Sequence, residues 1–187
     1  MALLGRSNVG KSSLINALAR QTVARTSAAP GKTRLANFYR LQRGSSPAFY
    51  LVDLPGYGYA RGGDASAREF NALTEAYLAR GRETSSRPVV SPSGAAAKAL
   101  ALLLLVDARH PGLEPDLDAW AWTASLGYPR AVVGNKVDKL TRAERDRHAR
   151  AFHSMFSVPV PLISAHTGEG LDQLWKMIAN LPSRTAA

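Results

Sequence analysis

Gly5-Arg6-Ser7-Asn8-Val9-Gly10-Lys11-Ser12 is the stretch on which the reading of this chain turns. It fits G-x-x-x-x-G-K-[ST], the pattern of a loop that wraps phosphate groups. The two glycines let the backbone double back and aim its N–H groups at phosphate oxygens. The candidate binding set is therefore Gly5, Arg6, Ser7, Asn8, Val9, Gly10, Lys11, Ser12 and Ser13. Within it, Lys11 should reach the outer phosphates of a nucleotide, and the Ser12 hydroxyl should ligate Mg²⁺. The flanks agree. Ala2-Leu3-Leu4 reads as a short strand, and Leu14, Ile15, Ala17 and Leu18 follow at helical spacing, so phosphate would meet a helix N-terminus.

Outward from that loop, strand-like and helix-like segments alternate. Strands are expected at 1–4, 37–42, 48–53, 100–107, 130–135 and 160–163, and helices at 11–20, 65–80, 115–126, 141–156 and 170–181. Gly44-Ser45-Ser46-Pro47 reads as a hairpin turn, which makes the second and third strands antiparallel. Thr141 with Glu144 forms a capping box. The Ser/Pro/Ala-rich segment 82–97 reads as an exposed loop. Such alternation predicts one domain, 1–187, with a mostly parallel sheet covered on both faces. The first strand is short for the centre of a sheet, and the natural start is expected upstream.

Three further stretches carry chemistry. Asp53-Leu54-Pro55-Gly56 ends an apolar strand, where open α/β sheets bind ligands. Its carboxylate can hold Mg²⁺ through water, and the Gly56 N–H can approach a γ-phosphate because no side chain intervenes. Thr33, in the polar stretch with Pro30, Gly31 and Lys32, is the second candidate Mg²⁺ ligand. A Thr so placed coordinates metal only while a γ-phosphate is present. Asn135-Lys136-Val137-Asp138 follows a buried strand: Asp138 can accept from both N1–H and the 2-amino group of guanine, a pair of donors that adenine lacks. Asn135 can donate to the base edge, and the Lys136 stem can cover the ring. After the last strand come Ser164, Ala165 and His166, with the Ala165 N–H aimed at guanine O6 and His166 beside the base. The ligand is then GTP or GDP rather than ATP.

Composition bounds the partners. The net charge of +10 is concentrated at one end: residues 1–52 hold eight Lys and Arg and no Asp or Glu. The rest of the chain holds 16 basic against 14 acidic residues. A nucleotide needs only one of those early cations, so a polyanion, RNA first among them, is the expected partner. No amphipathic basic helix suggests a lipid surface, and the longest apolar run, 99–106, is too short to span a bilayer. The absence of cysteine excludes disulfides and fits a reducing cytoplasm.

The order and spacing of these stretches resemble the small P-loop GTPase domain, and in detail the EngB (YihA/YsxC) family of ribosome-biogenesis GTPases. GRSNVGKSSLINAL (5–18), APGKTRLANFY (29–39), LVDLPGYGYA (51–60), LLLVDARH (103–110) and NKVDKL (135–140) carry the resemblance, which spans nearly the whole chain. It implies a three-layer α/β fold of about six strands, one of them antiparallel. It also implies Mg²⁺-dependent binding and hydrolysis of GTP by a monomer in the cytoplasm, and a role with rRNA in assembling the large ribosomal subunit. A related GTPase acting in tRNA modification or septation would normally need extra domains or coiled coil, and none is expected here. The chain departs from the family pattern at Asn135, where Thr is frequent, at Ser164-Ala165-His166, and in the length of 82–97.

Tyr57 stands where many GTPases place a water-orienting Gln, and it lacks the amide. The reading is therefore slow intrinsic hydrolysis, with Lys11, Thr33, Gly56 and Asn8 as the catalytic candidates. Related GTPases with N-x-G-K in this loop use the Asn to hold K⁺, which makes Asn8 the candidate ligand here. An alternative reading is a guanine-nucleotide-binding module on RNA that hydrolyses negligibly.

Overall fold

The computed structural model describes residues 1–25, 36–57, 74 and 101–181. Six strands form one sheet: β1 (Ala2–Gly5), β2 (Asn37–Leu41), β3 (Phe49–Asp53), β4 (Leu102–Asp107), β5 (Arg130–Asn135) and β6 (Leu162–Ile163). Their spatial order is β2-β3-β1-β4-β5-β6. Among the described strands only the β2–β3 pair is antiparallel, as the hairpin turn predicts. Four described helices accompany the sheet: α1 (Lys11–Ala19), α2 (Glu114–Ser125), α3 (Arg142–Phe156) and α4 (Leu171–Asn180). The helix expected over 65–80 and the loop over 82–97 lie outside the described residues, except for Thr74, which is helical and buried.

β4 shows why the sheet has two covered faces. Its run Leu-Leu-Leu-Leu-Val is apolar at every position because successive side chains point to opposite sides. Leu103 and Leu105 pack with α1 (Leu14, Ile15, Leu18) and α4 (Leu174, Ile178). Leu102, Leu104 and Val106 pack on the other side with Trp120 of α2 and Phe152 and Phe156 of α3.

β1 is short but central. It pairs in parallel with β3 on one side and β4 on the other, and all four of its residues are buried. Chain connectivity diverges on either side of β1, so its C-terminal end opens at the point where doubly wound sheets bind ligands. The last strand is shorter than expected. Pro159 and Pro161 have no N–H to give to a ladder, and pairing starts only at Leu162. The Thr141–Glu144 capping box is formed in full at the start of α3.

Candidate functional site

The phosphate loop leaves β1 at Gly5 and enters α1 at Lys11. Gly10 is the N-cap of α1 at φ 104°, and a β-carbon there would fall on the Asn135 amide nitrogen, so the position requires glycine. Val9 does not face the site with its side chain, which is buried in the core. Its carbonyl instead accepts a hydrogen bond from Asn135 Nδ2 at 3.0 Å.

Lys11 is buried at the base of the loop. Its ammonium donates to Gly5 O at 2.9 Å and Arg6 O at 3.4 Å. An ammonium has three donors, so this geometry aims the side chain across the loop with one donor left for an oxyanion. Burial pulls the Lys11 pKa down, and the Asp53 carboxylate opposes that.

The residues present fit a phosphate. The point where a β-carbon would stand on Gly56 lies 2.8 Å from Lys11 Nζ, 2.8 Å from Ser7 N and 3.0 Å from Ser7 Oγ. The Lys11 ammonium and the Ser7 hydroxyl thus reach one spot beside a residue with no side chain, bordered by Ser7 N, which donates to Tyr57 O at 3.3 Å. Asp53 fits a cation in the same way: it is 2% exposed, and its buried Oδ1 has no hydrogen-bond partner among the described residues. Burial raises the Asp53 pKa to about 6 against the pull of Lys11, so a positive ion beside it would be stabilised. Ser12, half-buried in the first turn of α1, and Asp53 offer hard oxygen ligands, a sparse set that suits Mg²⁺, which keeps several waters. Ser13 follows in the same turn. Pro30, Gly31, Lys32 and Thr33 lie outside the described residues.

The opposite wall is assembled from β4, β5 and the turn after β6. Asn135, buried at the end of β5, bridges two loops: Nδ2 donates to Val9 O, and Oδ1 accepts from Ala165 N at 3.0 Å. The Ala165 N–H, read from sequence as a donor to the base, is therefore engaged by Asn135 in this arrangement. Lys136, at φ 73°, donates to Asn8 O at 2.7 Å and to Asp107 Oδ2 at 2.9 Å. Asp138 accepts from Ser164 Oγ at 2.7 Å, a bond that lowers its pKa and keeps an acceptor carboxylate at the rim. Ser164 Oγ in turn receives the N–H groups of His166 and Thr167. His166 itself is exposed.

Two groups of residues escaped the sequence reading. Asp107, at the end of β4, receives Lys136 and both Nε and Nη2 of Arg109. Burial works against its charge, but Arg109 and Lys136 hold the carboxyl well below the usual range. The signal was available, since an Asp closing a buried apolar strand needs a partner. Asp116 is the second case: it receives Arg6 Nε at 3.0 Å and Tyr57 Oη at 2.9 Å. Arg6 thus turns its side chain away from the loop interior. Nothing in the local pattern of α2 announces that role.

Comparison with known proteins agrees with this geometry. Residues 1–136 match the family described as 50S ribosome-binding GTPase. The chain is 42% identical over 179 residues to the "Probable GTP-binding protein EngB" of Solibacter usitatus, covering 95% of this chain and 83% of that protein. It is 40% identical to the protein of the same name from Desulfovibrio desulfuricans, over 96% and 81% of the two chains. Among solved structures, an Era variant of Aquifex aeolicus bound to GDP and aluminium fluoride superposes with a TM-score of 0.74 at 24% identity, over 96% of this chain. The chain spans 55% of that Era chain. The NFeoB protein of S. thermophilus, solved with GDP, aluminium fluoride and K⁺, gives a TM-score of 0.69, again at 24% identity, over all of this chain and 63% of that one. With the phosphate loop formed and relatives matched over most of their length, the chain belongs to the EngB family of GTP-binding proteins and is a P-loop GTPase that uses Mg²⁺.

Proposed function

We propose that this GTPase is a switch in the assembly of the large ribosomal subunit, docking on the precursor particle and its rRNA through the basic half, 1–52. The observation that carries the reading is the charge of that half, with eight cations and no anion. Arg20, Arg25 and Arg40 are exposed. On one face of the β2–β3 hairpin, Arg40 stands opposite Tyr50, and Phe38 lies diagonal to that pair. Phe38 and Tyr50 are 62% and 59% exposed. Exposed aromatic rings beside a guanidinium suit unpaired bases and the phosphates that link them. Such a partner places the protein in the cytoplasm. Among the described residues no helix is long and apolar enough to cross a membrane.

Within the site, Lys11 and the loop N–H groups bind and orient the phosphates, and Asp138 selects guanine. Ser12, Asp53 and Thr33 are the residues proposed to hold Mg²⁺, which supplies charge neutralisation on the phosphates. Tyr57 brings no amide to the attacking water, so intrinsic turnover is slow and the docked particle completes the site. Asn8, exposed in the loop at φ 63°, is proposed to hold K⁺ where a second positive charge is needed. Turnover in KCl should exceed turnover in NaCl, and equal rates would remove K⁺ from the mechanism.

Co-sedimentation with large-subunit particles, in GDP and in a non-hydrolysable GTP analogue, tests the switch. Stronger association in the analogue is expected, and association insensitive to nucleotide would overturn it. Single-turnover hydrolysis with and without particles separates a working GTPase from a module that only binds nucleotide.

A further inference from the structure

The geometry points to Asp116 as a positioning residue that, through the phenol of Tyr57, holds Gly56 across the place where a third phosphate must enter. The inference rests on the switch reading above and adds the device that sets its balance.

Asp116 lies in the first turn of α2, with its N–H on Leu113 O at 2.9 Å. A helix N-terminus favours a negative side chain there. The residue is 2% exposed, and one oxygen, Oδ1, receives both Tyr57 Oη and Arg6 Nε. Its other oxygen is buried with no hydrogen-bond partner among the described residues. A buried carboxylate with a single satisfied oxygen is costly to keep, and its two partners come from elsewhere in the chain. Arg6 belongs to the phosphate loop and Tyr57 follows Gly56, so Asp116 joins the loop to the segment that must move.

Tyr57 is also held by its backbone. It forms an isolated parallel bridge with Arg6, and its carbonyl accepts from Ser7 N at 3.3 Å. The residue is thus fixed at both ends, and Gly56 before it has little freedom. The spot that Lys11 Nζ and Ser7 Oγ reach, bordered by Ser7 N while its hydrogen goes to Tyr57 O, is a β-carbon position, only about 1.5 Å from the Gly56 α-carbon. A phosphate oxygen cannot share it with Gly56 in place. Those donors can receive a third phosphate only if Gly56 and Tyr57 withdraw, which strains the contacts that fix Tyr57. A diphosphate makes no such demand. Asp116 and Tyr57 therefore favour GDP over GTP without touching either nucleotide.

Tyr57→Phe removes one hydroxyl and keeps the ring, so it is the cleanest test. Affinities for GDP and for a non-hydrolysable GTP analogue are measured by competition with a fluorescent guanine nucleotide. Loss of a hydrogen bond to a charged acceptor should shift the ratio of the two constants toward the analogue by about tenfold. Asp116→Ala should shift it the same way, and Asp116→Asn, which retains an acceptor for the phenol, by less. A purely structural role would weaken both nucleotides alike and leave the ratio unchanged, and that result would overturn the proposal. Should Asp116→Ala fail to fold, judged by thermal melting, Tyr57→Phe still decides. Particle binding that ignores nucleotide would sink the switch reading, whereas an unchanged ratio with normal nucleotide binding would sink only the Asp116 device.

Discussion

Lys136 Nζ donates to Asn8 O at 2.7 Å across 128 positions of sequence, and the same ammonium is 2.9 Å from Asp107 Oδ2. One cation thereby ties the phosphate loop to the ends of β4 and β5, and its stem is proposed to lie over the base. Lys136→Ala should weaken GDP and GTP about equally, by roughly tenfold or more for the loss of charge-assisted bonds. Lys136→Met keeps the apolar stem and should recover part of the loss. Calorimetric titration of both variants against GDP checks this; equal affinities for Met and Ala would show that the stem contributes nothing.

Asp138 is proposed to read the base, and its carboxylate offers acceptors only. Asp138→Asn should reduce guanine nucleotide affinity by about 10²-fold or more, because the amide nitrogen that replaces one carboxylate oxygen faces a base donor and leaves it without an acceptor. Xanthine carries a carbonyl where guanine has its amino group, and the new amide can donate to it. Xanthosine diphosphate should therefore bind the variant better than GDP does. Retained preference for GDP would show that other groups make the choice.

Asp53 gives the protein a pH signature. Burial moves its pKa from 3.8 to about 6, so the folded state takes up a proton more readily than the unfolded chain. Its contribution to stability is full below the unfolded value and is lost as pH rises through about 6. A difference of this size is worth at most about 3 kcal/mol. In metal-free buffer, the stability advantage of Asp53→Asn over the parent should grow from about pH 4 to pH 7. Melting curves of the two proteins across that range test it, and a constant difference would contradict the burial argument.

The hairpin face offers a test of RNA contact independent of the nucleotide site. Tyr50→Ala should weaken binding of single-stranded RNA by about 1–3 kcal/mol, the range for one lost base stack. Arg40→Ala should lower affinity evenly across sequences and reduce the salt slope by about one. Anisotropy titrations at several salt concentrations read both, and binding unaffected by either change would move the RNA site elsewhere.

Much of this protein was legible without coordinates, because its signals are local. The phosphate loop, the alternation of apolar strands with helical faces, the hairpin turn and the capping box each involve residues within a few positions of one another. The strand order was less accessible, and the shortening of β6 by Pro159 and Pro161 shows how boundary detail depends on ladder donors.

Sequence by itself determined the ligand class, since Lys11, Asp53, Gly56, Asn135 and Asp138 stand in motifs whose chemistry fits guanine nucleotide and Mg²⁺. Tertiary structure alone decided what those residues lean on. Asn135 spans from Val9 to Ala165, Lys136 from Asp107 to Asn8, and Asp116 from Arg6 to Tyr57. Each contact joins elements far apart in the chain, and a buried polar group shows its partner only once the sheet has brought those elements together. Asp116 makes the difference plainest. In sequence it is one more acidic residue in the first turn of a helix, and in the fold it is the group on which Tyr57 and the phosphate loop are both fastened.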